Sequence, residues 1–227
     1  MDLDRNDIDA CVFDAYGTLF NLAAAAARHK DALGENEKPL SDIWRVRQIE
    51  YTWLRSLMGD YAPFWEVTQN ALDYALASLG IDDAALRQKL LDVYWKLDAF
   101  AEVPDMLARL KGAGLKTAVL TNGSPDMIQA AIDNAGIGGV LDAAFSVDTV
   151  GIFKPHPSVY QLAVDGLSVP KERICFMSSN AWDVAGAAYF GFRVVWVNRY
   201  GQPQENLPGT PEQVITDLSA LPALLGV

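Results

Sequence analysis

The sequence predicts an α/β fold, a Rossmann-like core in which a parallel sheet is flanked by helices, with an all-helical segment inserted after the first strand. Three observations predict it. Four short aliphatic or β-branched runs, Ala10–Phe13, Thr117–Leu120, Ile174–Met177 and Val194–Val197, are each followed by turn residues and then a helical pattern. Between the first run and the second, from about Leu22 to Phe100, there is helical periodicity and no convincing strand. Polar clusters follow the first three runs directly, where open α/β sheets bind their ligands.

Each element follows from its residues. Ala10–Phe13 is a first strand buried on both faces, since all four side chains are apolar. In the helical stretch Ser41 can cap a helix carrying Trp44, Ile49, Trp53 and Leu57. Further helices are expected over Phe64–Leu79 and Asp82–Lys96, broken at Gly80-Ile81-Asp82. Ala144–Val147 and Val214–Thr216 carry weaker strand patterns. The expected division is a core of residues 1–20 and 101–227 and a helical domain of residues 21–100 lying over the carboxyl ends of the strands.

Composition removes several classes of function. At 227 residues, 51% of them hydrophobic, the chain has material for one packed core and a smaller satellite domain. A formal charge of −11 repels nucleic acid and anionic membrane surfaces, so an anionic substrate needs local cations. The alanine run Ala23–Ala27 and the stretch Val194–Val197 are too short to span a bilayer, which takes roughly 20 residues. Met1–Asp9 is acidic and lacks an apolar block, so no signal peptide is read there and a cytoplasmic location is expected. Cys11 and Cys175 lie in strand-like runs and read as buried core thiols. His29 and His156 are too few for a histidine-rich metal site.

Four polar clusters carry the chemistry. In Phe13-Asp14-Ala15-Tyr16-Gly17-Thr18-Leu19-Phe20 a carboxylate ends the first strand, Gly17 permits a tight turn and Thr18 offers a hydroxyl one turn onward. Alone, such an Asp is as often a turn or helix cap. Thr121-Asn122-Gly123-Ser124-Pro125 presents a hydroxyl, an amide and free N–H groups to an anion, and equally reads as a helix start with Ser124 as cap. Phe153-Lys154-Pro155-His156-Pro157 holds a lysine in a stiff loop, where most lysines are solvated charges. Ser178-Ser179-Asn180-Ala181-Trp182-Asp183 places a second carboxylate beyond another strand end.

In order and spacing these clusters resemble the haloacid dehalogenase (HAD) superfamily over the whole chain, with residues 21–100 as its cap domain. The resemblance implies a nucleophile at Asp14, an anion-binding hydroxyl at Thr121, a lysine steadying the nucleophile at Lys154 and an acidic residue completing the site at Asp183. Phosphatases of the superfamily carry a second Asp two positions after the nucleophile; here that position is Tyr16, whose phenol has an unperturbed pKa of about 10. The late cluster also begins Ser178-Ser179-Asn180 where a phosphatase has Gly-Asp, leaving few hard oxygen ligands for magnesium. A halide needs neither a proton nor a metal to leave.

The first cluster, the segment Trp44-Arg45 to Met58 and the Ser178–Asp183 cluster look like the L-2-haloacid dehalogenases themselves. By that resemblance Thr18 supports Asp14, and Arg45 receives the halogen or steers the substrate. Thr121 and Asn122 hold the carboxylate and halide side, and Tyr160, Ser178 and Asn180 fill the remaining polar positions. Ala15 lies at the substrate, while Tyr16, Ile49, Phe64 and Trp182 form the wall around its alkyl group; without the resemblance Phe64 and Trp182 read as core. Asn21 and Val46 depart from the family, which commonly shows Asp and Gln there. The implied reaction is hydrolytic dehalogenation of small L-2-haloalkanoic acids to D-2-hydroxy acids, with no cofactor and no metal, by a protein that is often a homodimer. Two rivals stand beside it: a magnesium-dependent phosphomonoesterase of the same superfamily, and a catalytically silent binding protein, which the presence of Asp14 and Lys154 disfavours.

Overall fold

Each apolar run singled out in the sequence forms a strand in a computed structural model that describes residues 5–22 and 27–227. Met1 to Asp4 and most of the alanine run, Ala23 to Ala26, lie outside the described residues. The strands are β1 (Ala10–Phe13), β2 (Lys116–Thr121), β3 (Ala143–Ser146), β4 (Ile174–Ser178), β5 (Arg193–Val197) and β6 (Gln213–Ile215). They form one sheet in the order β3-β2-β1-β4-β5-β6, every pair parallel. Parallel neighbours need crossovers, and the helices that supply them cover both faces. All side chains of β1 and β4 are accordingly buried.

The helices are α1 (Lys30–Leu33), α2 (Glu37–Met58), α3 (Phe64–Ser78), α4 (Ala84–Val93), α5 (Val103–Gly112), α6 (Pro125–Ala135), α7 (Pro157–Leu167), α8 (Ala181–Phe190) and α9 (Leu221–Leu224). Elements α1 to α4 all fall between β1 and β2. This segment leaves and rejoins the sheet unit side by side: Phe20 bridges Ala99, Asn21 N donates to Asp98 O at 3.0 Å and Phe100 N to Leu19 O at 2.9 Å. Among the described residues no helix is long and apolar enough to cross a membrane.

Two boundaries differ from expectation. Ser41 does not cap α2; the helix begins at Glu37, and Ser41 sits inside it. The reason is Pro39, which reads as a break but is tolerated in a first turn, where its missing N–H has no helical partner to lose. The expected helix Asp82–Lys96 is shorter, because Asp83 caps it: its carboxylate accepts from Ala85 N and Leu86 N at 2.9 Å.

The strand order places β1 beside β4, where the direction of winding reverses and a crevice opens at the carboxyl ends. Register fixes what lines that crevice. Phe13 is level with Val119 and Met177, so Asp14, Leu120 and Ser178 come next on three adjacent strands, and Thr121 one step further. Cys11 and Cys175 are fully buried neighbours in the middle of the sheet.

Candidate active site

The Asp14 carboxylate is held unevenly. Its Oδ2 accepts from Asn180 Nδ2 at 2.8 Å, Thr18 Oγ1 at 3.0 Å and Ser178 Oγ at 3.3 Å. Its Oδ1 accepts from Lys154 Nζ at 3.1 Å. Backbone groups aim the two hydroxyls: Ser179 N donates to Thr18 Oγ1 at 2.8 Å and Asn180 N to Ser178 Oγ at 3.1 Å. With those lone pairs occupied, each hydroxyl hydrogen is free to point at Asp14. The turn that brings Thr18 back over Asp14 runs through Gly17 at φ +88°, a left-handed conformation that glycine adopts without strain.

Lys154 is 1% exposed, so the solvated-loop reading does not hold. Its ammonium bridges Asp14 Oδ1 and Asp183 Oδ2, the latter at 2.9 Å. Burial opposes that charge, but Asp14 and Asp183 outweigh it and hold the lysine pKa above its ordinary value. Asp183 is fully buried and its pKa is raised, by burial first, against the lowering effect of Lys154. Tyr160 donates to Asp183 Oδ1 at 2.8 Å and packs among Phe176, Phe190 and Phe192. It therefore stands behind Asp183, where burial and that carboxylate push its phenol far up.

The helical segment closes over this group. Arg45 of α2 donates through Nη2 to Asn180 Oδ1 at 3.0 Å and through Nη1 to Gln48 Oε1 at 2.8 Å. Gln48, fully buried, also donates to Thr68 Oγ1 at 2.7 Å and meets the Tyr94 hydroxyl at 3.3 Å. Sequence reading passed over Gln48, although its place one turn beyond Arg45 on the same helix marks it as a partner.

The residues expected to line the substrate fall in separate contacts. Tyr16 stacks on Phe64 with ring centroids 6.0 Å apart, and Trp182 meets Trp53 edge-on at 5.4 Å. Ile49 lies one turn along α2 from Arg45 and is nearly buried. Ala15 is fully buried beside Asp14, and its carbonyl accepts from Leu19 N and Phe20 N within the turn.

On β2, Thr121 Oγ1 accepts from Gly123 N at 3.0 Å, and just beyond it Asn122 Oδ1 accepts from Lys154 N at 3.0 Å, tying the lysine loop to the turn after β2. Ser124 occupies the cap position of α6, yet its hydroxyl makes no capping bond. A Cβ on Gly123 would lie 2.7 Å from Tyr16 Cε2 and 2.8 Å from its hydroxyl oxygen, so glycine is what lets the phenol ring sit there. That hydroxyl is buried without a hydrogen-bond partner.

Among the described residues no cluster of three or more His, Cys, Asp or Glu side chains is arranged to hold a metal ion. The chemistry on view is instead a desolvated carboxylate with one oxygen fixed by three donors, the other beside an ammonium, and a guanidinium poised above them.

Comparison with known proteins agrees with this geometry. The sequence model for haloacid dehalogenase-like hydrolases matches residues 8–191. The chain is similar to (S)-2-haloacid dehalogenase 1 of Pseudomonas sp. (strain CBS-3), 45% identical over 219 residues and 96% of both chains. A crystal structure of a dehalogenase superposes with a TM-score of 0.95 at 42% identity, covering 97% of this chain and 98% of that one. The structure of L-2-haloacid dehalogenase from Xanthobacter autotrophicus with chloropropionic acid covalently bound gives 0.89 at 38% identity, covering 96% of this chain and 98% of that one.

Proposed function

The chain belongs to the haloacid dehalogenase-like hydrolases, and we propose that within this family it converts small L-2-haloalkanoic acids to D-2-hydroxy acids and halide. The observation that carries this reading is the asymmetry of Asp14: among the described residues Oδ2 is tied to three side-chain donors and Oδ1 to Lys154 alone, which leaves Oδ1 the oxygen to attack.

In the first step Asp14 Oδ1 forms a bond to C2 as the carbon–halogen bond breaks, the electron pair leaves with the halide, and C2 is inverted. Arg45 meets the departing charge, while Thr121 and Asn122 receive the substrate carboxylate and Tyr16, Ile49, Phe64 and Trp182 keep bulk water from the alkyl group. In the second step water beside Asn180 and Asp183 attacks the ester carbonyl carbon. Negative charge then develops on Oδ2, where Asn180, Thr18 and Ser178 already donate; one such donor is worth about 2.7–4 kcal/mol in comparable sites. Asp183, made more basic by burial, takes the water proton and passes it to the departing alkoxide as the bond from the carbonyl carbon to Oδ1 breaks. Tyr160 and Lys154 hold Asp183 for that task. C2 is touched once, so inversion persists in the product.

A single turnover in heavy-oxygen water tests the ester: label should enter Asp14 and be missing from the product hydroxyl, and label in that hydroxyl would exclude the intermediate. Chloride release from L-2-chloropropionate in the presence of a chelator separates this reading from the phosphatase one. The Tyr16 phenol, pushed up by burial, is a poor substitute for a phosphatase's acid. Release of chloride also separates it from a silent binding protein.

Residues 1–20 and 101–227 serve here as the catalytic core and 21–100 as the cap. Two reduced, buried thiols suit the cytoplasm. Leu54, Leu57 and Met58 lie exposed along α2 and give the chain an apolar strip for pairing with a second copy; light scattering of the purified protein at the mass of two chains is the expected result.

A further inference from the structure

We propose that Arg199 is a positioning residue of this active site, which holds Thr18 in place from behind by clamping both crossings between the sheet unit and the helical segment. Arg199 stands two residues beyond β5, and its side chain is only 8% exposed. Its Nη2 donates to the carbonyl oxygen of Thr18 at 2.9 Å and lies 2.7 Å from Glu102 Oε1. Its guanidinium carbon lies 3.7 Å from the centroid of the Phe100 ring. Thr18 belongs to the strand of chain leaving the sheet, whereas Phe100 and Glu102 belong to the one returning.

A guanidinium suits this place: its flat face stacks on an aromatic ring while its edge donates in the same plane. An arginine serving solubility would not be buried against a ring, a carbonyl and a carboxylate. The consequence reaches the nucleophile. Thr18 is fixed at three points, its N–H by Ala15 O at 3.2 Å, its carbonyl by Arg199 and its hydroxyl between Ser179 N and Asp14 Oδ2. Threonine is stiff about χ1, so a displaced backbone carries the hydroxyl with it. Removing the clamp therefore loosens a donor to Oδ2, the oxygen on which charge develops when the ester is hydrolysed. Arg199 touches no substrate, so turnover suffers and binding does not.

The inference rests on Asp14 as the dehalogenating nucleophile, and chloride release by the wild-type protein checks that first: no release sinks the activity and this inference together. With an active wild type, Arg199→Gln is expected to lower kcat on L-2-chloropropionate about ten-fold or more and KM along with it, leaving kcat/KM within about three-fold, because the step slowed is hydrolysis of the ester and not its formation. Arg199→Lys, keeping the charge and a donor but not the stacking plane, should fall between, about three-fold below wild type. In a Thr18→Val background the Gln substitution should add less than about two-fold, because the group it acts through is already gone. Wild-type kcat in Arg199→Gln overturns the proposal, and so does an undiminished effect of that substitution when Thr18 is absent. If Arg199→Gln fails to fold, Arg199→Lys decides: unaltered kcat would confine the arginine to folding and reject the positioning role.

Discussion

Arg45 and Asn180 join across the gap between the helical segment and the sheet, guanidinium Nη2 to amide Oδ1 at 3.0 Å, while the other side of the same amide holds Asp14 at 2.8 Å. A cation in one half of the molecule is thus one side chain away from the nucleophile in the other. Arg45→Lys keeps the charge but cannot span Gln48 and Asn180 together. Its kcat/KM on L-2-chloropropionate should fall about 100-fold, in line with the loss of one preorganised donor at developing charge. Halide release alongside an unchanged circular dichroism spectrum is the measurement.

Lys154→Met should be destabilised by about 3–5 kcal/mol, because it leaves two buried carboxylates without their cation. Urea unfolding at neutral pH reads the loss directly.

The same lysine sets an alkaline limit. Its pKa is higher in the folded protein than the ordinary 10.5, so its ion pairs contribute full stability below that value and lose it only as pH rises through the higher folded value. Neither the melting temperature nor the rate should therefore show a lysine-dependent decline below pH 10.5. A midpoint well under it, absent in Lys154→Met, would contradict the buried pairing.

Gly123→Ala forces a methyl group into the Tyr16 ring, against contacts of 2.7 and 2.8 Å. The ring must shift, and its stacking on Phe64 with it. A stability loss of about 1–3 kcal/mol and a raised KM are expected, by thermal melting and steady-state kinetics.

Cys11 and Cys175 should resist modification by iodoacetamide in the folded state and react fully in denaturant, with mass spectrometry as the readout. Both are buried, and burial raises the Cys175 thiol pKa well above its ordinary range, so little thiolate is present.

The four inner strands were legible in the sequence because aliphatic runs buried on both faces leave an unbroken apolar signature, while the half-exposed edge strands β3 and β6 left weaker patterns; all six fall within a residue or so of their expected places. The start of α2 was not, because Pro39 signals a break whether it stands inside a helix or in its first turn. Asp14 and Ser178 stand out in the sequence by their position at strand ends, and the register brings them within hydrogen-bond reach of each other. Lys154 looked solvated in isolation, since its partners lie 140 and 29 residues away and pairing at that distance leaves no local trace. Arg199 carried no signal for the same reason, its partners being brought together only by the sheet order. Tyr160 had the polarity expected of a site residue, and its contact with Asp183 was not legible, because packing among Phe176, Phe190 and Phe192 decides where its hydroxyl points.

The bridge between Phe20 and Ala99 has an evolutionary and practical meaning. Bridged partners sit only about 4.5–5.5 Å apart, so the helical unit is plugged in through a single narrow socket and spans no wider gap in the chain. A unit with other helices and another pocket could be grafted at that socket without re-threading the sheet, bringing its own counterpart of Arg45 while the nucleophile and its donors stayed where they are.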